Sequence, residues 1–154
     1  MKNPEPTIIS GTPQALDYTT VGSPCSSGSA FLERFLLMNK GLLDNAPFHI
    51  AVHIIKDLDS PPEPYAQIHS HPACDEIGLI IAPKDELEYE IVLNGKENRV
   101  KSPAAVFIPA GTHHRARAIK GRGAYVCIIL DPEGPVTANV QILDQPGASG
   151  SSNQ

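Results

Sequence analysis

The stretch QIHSHPACDE, residues 67–76, sets two histidines, a cysteine and two acids within ten positions. A second stretch, IPAGTHHRAR, residues 108–117, adds two adjacent histidines after a Pro-Ala-Gly turn. Four of the chain's six histidines lie in these segments. Imidazole and carboxylate are the donors that a divalent transition metal takes. His69 and His71 are one residue apart, so on a strand both rings leave the same face. Two imidazoles on one side of a rigid sheet can chelate a cation. Pro72 ends that strand, and Glu76 can fold back as a carboxylate ligand, with Asp75 beside it as the rival. Two histidines and one carboxylate form a facial set that leaves coordination positions open. The PAGTHH turn can supply a fourth donor and still leave room for substrate.

Such a site needs a rigid frame, and the chain around it reads as strands. FHIAVHIIK, from Phe48, alternates one set of side chains against another that contains His49 and His53. In YAQIHSH the same period puts Tyr65, Gln67, His69 and His71 on one face. EIGLIIA, EYEIVL, KENRV, AAVFIPAG, THHRARAI and AYVCIIL follow, separated by turns. Asn94-Gly95 is a two-residue hairpin signal. The count is roughly eight short strands, which favours an antiparallel sandwich or barrel. Fifteen prolines disfavour long helices. The segment from Ala30 to Leu43 is ambiguous: Phe31, Phe35 and Met38 recur at helical spacing, and a short helical or mixed element is expected there.

These residues resemble the cupin family. Its first motif reads His-x-His, a short gap, then Glu, and HSHPACDE matches it through Glu76. Its second reads Pro-x-Gly-x-x-His, and PAGTHH matches it at Pro109, Gly111 and His114. The resemblance covers roughly residues 48–130 and has both motifs in the family's order. It implies an all-β fold, a double-stranded β-helix or jelly-roll barrel with the metal inside. It carries over four ligands: His69, His71, Glu76 and His114. It selects Glu76 over Asp75, which is left as a turn former, and His114 over His113, which is left at the rim. The chain departs from the family pattern at Pro83 and Pro103, where glycine is usual, and at Ala118, where asparagine is frequent.

The same reading nominates cavity residues for catalysis beside Glu76. Gln67 and Tyr65 share the face of His69, and His53 can reach the site from a neighbouring strand. Glu88 and Glu90 are further candidate bases. Cys74 is read as a loop cysteine next to the site. Arg115, Arg117, Lys120 and Arg122 form a basic stretch, read as a solvated edge or a clamp on a substrate carboxylate.

The expected function is a metal-dependent enzyme acting on a small metabolite. An Fe(II)-type dioxygenase comes first, and a non-redox isomerase, cyclase or lyase is the alternative. A metal-containing binding or sensor protein is a third reading. The cofactor is one divalent ion, with Fe(II) favoured over Mn, Ni, Cu or Zn. The substrate is a small molecule, carboxylate-bearing on the clamp reading. Net charge is −5 over 154 residues, which argues against nucleic acid or an anionic membrane surface as partners. Three cysteines without a paired spacing fit a reducing compartment, and no apolar run reaches the ~20 residues of a membrane helix, so a cytoplasmic protein is expected. The expected organisation is a loop-rich arm over 1–29, one barrel domain over 30–135, and an extension with a disordered tail over 136–154. A homodimer is expected, with the segment PTIIS adding a strand to a neighbour's sheet edge.

Overall fold

The computed structural model describes residues 6–13, 30–62, 65–130 and 141–142. Most of the expected arm and tail, with Cys25, lies outside them. Ten strands follow in order: β1 Thr12–Pro13, β2 Leu32–Met38, β3 Phe48–Leu58, β4 His69–Ser70, β5 Glu76–Ile81, β6 Leu87–Leu93, β7 Lys96–Lys101, β8 Ala104–Ile108, β9 His114–Leu130 and β10 Gln141–Ile142. Every pairing is antiparallel.

The long strand β9 belongs to two rows. Its C-terminal half runs between β3 and β5, giving the row β1-β2-β3-β9-β5-β8. Its N-terminal half runs between β6 and β4, giving the row β7-β6-β9-β4-β10. The crossover falls at Gly121, where φ is +95° and a Cβ would strike the Glu86 carbonyl oxygen. Only glycine fits so tight a passage at positive φ.

No helix occurs among the described residues, so the expected helical element at 30–43 is corrected to β2. Period two wins there. Leu32 and Leu36 are buried while Glu33 is exposed and bonds Lys56 on the outside. Six residues of β2 pair with β3, and these ladder bonds outweigh helical spacing. YAQIHSH is not one strand either. Prolines at 61, 62 and 72 flank it, and only His69–Ser70 are strand. The segment PTIIS, residues 6–10, is not a strand; the short β1 that follows it pairs within its own chain, Thr12 opposite Leu36 and Pro13 opposite Phe35.

Inward side chains divide the fold into two ends. Leu32, Ile55, Ile80, Leu87 and Tyr89 belong to one buried apolar cluster. Each large aliphatic group buried there stabilises the fold by about 1.5–3 kcal/mol. Towards the other end of the same strands the inward positions turn polar: His49 on β3, Glu76 on β5 and His114 on β9 are all buried.

Candidate metal centre

His69 is on β4, His71 follows it, Glu76 opens β5 and His114 opens β9. One ligand atom from each lies within 4.8 Å of the others, and all four residues are buried. Glu76 Oε2 is 3.0 Å from His114 Nε2 and 3.2 Å from His71 Nε2.

Local backbone bonds join the two motifs. The Gly111 N–H donates to the His71 carbonyl at 2.8 Å. The Ala110 N–H donates to Asp75 Oδ1 at 2.8 Å. Asp75 is therefore the brace that ties the second motif's turn to the first, which is the turn-forming role read from the sequence.

The tautomers suit a cation. His69 Nδ1 lies 3.0 Å from the Gln67 carbonyl, and His114 Nδ1 lies 2.8 Å from the Thr112 carbonyl. A carbonyl only accepts, so both Nδ1 atoms carry the hydrogen. Nε2 is then the donor left for a metal, the arrangement usual in histidine sites. The buried cluster can hold a metal ion. Its donor set of three imidazoles and one carboxylate fits several first-row divalent ions and does not select one.

Electrostatics follow from burial. Burial and then the neighbouring His114 lower His69 to about 4. Burial opposes charge on Glu76, but hydrogen bonds and charge from His114 and His71 hold it well below the usual carboxylate range. Burial pulls His114 down, yet the Glu76 bond and charge and the Thr112 carbonyl outweigh it and raise the ring above its ordinary value.

No protein-family model matches the chain, and no curated protein matches it. Solved structures do. A cupin-2 domain from Rhodospirillum rubrum overlays with a TM-score of 0.52 at 10% identity, covering 88% of this chain and 76% of that one. The chain has the cupin fold. Streptomyces PAC13, solved with uridine, overlays with a TM-score of 0.52 at 7% identity, covering 93% of this chain and 92% of that one. KdgF from Halomonas overlays with a TM-score of 0.48 at 15% identity, covering 71% and 87%.

Around the cluster, the chain distributes the other nominated residues unevenly. His53 is buried and faces inward on β3, its ring centroid 6.0 Å from that of Tyr125. Burial and then Arg34 lower it to about 3. Tyr65 sits in the apolar cluster, edge-on to Phe31, and its hydroxyl accepts the Ala118 N–H at 2.6 Å. That bond occupies the place of the family's frequent asparagine. Gln67 is half-buried and serves His69 through its backbone carbonyl.

Glu88 and Glu90 leave β6 on the face opposite buried Leu87, Tyr89 and Ile91, so both face away from the cluster. The basic stretch is outward too. Arg115 Nη2 and Arg117 Nε reach Glu90 Oε1 at 2.8 and 3.0 Å, and Arg117 Nη2 reaches Oε2 at 3.0 Å. Arg117 first, with Arg115, lowers the Glu90 carboxyl below its ordinary value. The two arginines are thus engaged with Glu90 on the outer face, as strand parity against His114 requires. Lys120 and Arg122 are exposed. His113 is exposed, its N–H held by Asn94 Oδ1 at 3.0 Å. Cys74 is buried but outside the four-residue cluster.

Two inward residues escaped the sequence reading. Cys127 Sγ donates to Glu76 Oε1 at 3.4 Å. His49 is buried, and its Nδ1 has no hydrogen-bond partner among the described residues. Burial, then Arg34 and His71, lower it to about 4. Its alternation with His53 along β3 was the available signal. Cys127 carried none, because its contact arises only from the pairing of β5 with β9.

Proposed function

We propose that this cupin is a metal-dependent enzyme acting on a small metabolite. The observation that carries the reading is the buried convergence of His69, His71, Glu76 and His114. When bound there, a divalent ion supplies Lewis acidity to a substrate oxygen. The barrel supplies the rest. His49, inward and buried in the row of Glu76, is neutral at physiological pH and can accept a proton from a substrate. A proton acceptor beside a Lewis-acid site favours the non-redox class: isomerase, cyclase or lyase. PAC13, a protein of the same fold solved with uridine, supports a small polar guest.

The Fe(II)-type dioxygenase reading rests on the ligand chemistry alone. Metal-loaded protein incubated with a library of small hydroxy and keto acids separates the two. Under the non-redox reading, substrate is consumed with equal yield in air and under argon. Consumption that stops under argon, with matching oxygen uptake, would establish the dioxygenase instead. Loss of His49 should lower kcat with metal content unchanged, and an unaffected kcat would remove His49 from the chemistry.

A further inference from the structure

Arg34 is the one lysine or arginine among the described residues at an inward position near the cluster. Its β2 neighbours Leu32 and Leu36 are buried on the same side, while Glu33 is exposed. Across the sheet Arg34 stands opposite His53, and His53 opposite Tyr125. The Arg34 charge acts on both His49 and His53, and so does the Glu76 charge. The guanidinium therefore belongs to the same interior as the metal-ligand set. By contrast, Arg115 and Arg117 are bound to Glu90 outside.

Between the Arg34 row and the cluster row lies a row of small side chains. Ala51 pairs with Cys127, and Cys127 with Gly78. A Cβ at Gly78 would collide with the Tyr125 hydroxyl, so that hydroxyl lies over Gly78, aimed along β5 towards Glu76. His49 and His53 are four positions apart on β3, about 13 Å along the strand. A divalent ion beside the single Glu76 carboxylate, with Arg34 on the same side, would give this interior a positive potential that draws an anion.

We propose that Arg34, with His53 opposite it on β3, forms an anion-binding end of this interior, and that the substrate carries a carboxylate there. The proposal rests on the metal-enzyme reading for the other end of the molecule. A guanidinium meets a carboxylate through two parallel N–H bonds, which fixes the orientation of the guest as well as its charge. The carboxylate expected from the sequence is thus assigned to β2 rather than to the basic stretch of β9.

The test uses the full metal-loaded chain, with calorimetric titration of acetate, malonate, succinate, glutarate and citrate, each against its neutral amide. At least one carboxylate should bind, and its amide should bind at least about tenfold more weakly. Arg34→Gln should weaken that carboxylate by at least about tenfold with metal content unchanged, Arg34→Lys should weaken it less, and Arg115→Gln should leave it alone. Equal binding of acid and amide, equal binding to Arg34→Gln and wild type, or no binding by any of the acids overturns the proposal. Should Arg34→Gln fail to fold, the acid-amide comparison and Arg34→Lys decide. Metal content distinguishes the two readings. A chain that holds no metal yet prefers carboxylate through Arg34 sinks the metal enzyme and keeps the anion site.

Discussion

His69 and His114 stand directly opposite each other across the β4–β9 pair, with ring centroids 4.3 Å apart. Two strands whose first residues are separated by 45 positions thus place two imidazoles side by side without help from a loop. Placement on paired strands is more exact than placement on loops, and each ring is further fixed by a backbone carbonyl at its Nδ1.

The first prediction concerns that pair. Protein purified from metal-supplemented medium should hold about one divalent ion per chain. His69→Ala and His114→Ala should each lose most of it, whereas exposed His113→Ala should keep it. Elemental analysis of the four proteins is the check, and a full complement in His114→Ala would remove that ligand.

Glu90 gives a stability prediction free of the metal. Its side chain is 12% exposed, and those of Arg115 and Arg117 are 15% and 14% exposed. Removing the carboxylate leaves two half-hidden guanidinium groups facing each other. Glu90→Ala should cost about 3 kcal/mol in urea unfolding and leave metal content intact. A cost below about 1 kcal/mol would mean that solvent already screens the trio.

The buried histidines set the pH dependence of the metal-free protein. His53 falls to about 3 and His49 to about 4 in the folded chain, from 6.5 when unfolded. Between those values the unfolded chain binds more protons. Stability is therefore full above pH 6.5 and is lost as pH falls towards 3. Each such histidine contributes a slope of up to about 1.4 kcal/mol per pH unit. His53→Gln should flatten the curve between pH 6 and 4 by that amount, measured by chemical denaturation at each pH. An unchanged slope would place His53 in contact with water.

Assembly is read from the outer face of β2, β3, β9, β5 and β8. Phe107, Ile77, Ile128 and Ile50 align in one row, and Ala105, Leu79, Val126, Val52 and Phe35 in the next. Phe107 is 59% exposed and Ile81 51%. We propose that a second copy of the chain covers this face. The rows carry no charge to strand, and five strands spaced about 4.8 Å make a face roughly 20 Å across. Light scattering at micromolar concentration should give a dimer mass, and Phe107→Lys should give a monomer with its metal retained. A monomeric wild type would show the face to be covered otherwise.

The sequence by itself determined the β class and the turns, and its resemblance to the cupin motifs pointed to the four donors of the cluster. Alternation, Pro and Gly punctuation and the His-x-His and PAGTHH spacings are local signals, and local signals survive in a string of letters. Strand parity was equally legible, because it alone places Arg115 and Arg117 opposite His114. Only the tertiary structure decided which residues share the interior. Arg34 lies in a segment whose spacing suggested a helix, and pairing with β3 made it an inward strand residue opposite His53. Cys127 meets Glu76, and Tyr125 covers Gly78, because β9 changes neighbours half-way along its length at Gly121. Tyr65 shares the predicted face of His69, yet its hydroxyl found the Ala118 N–H and it joined the apolar end. Those outcomes depend on register between strands far apart in the chain, and register is fixed by the simultaneous burial of both faces rather than by any one segment.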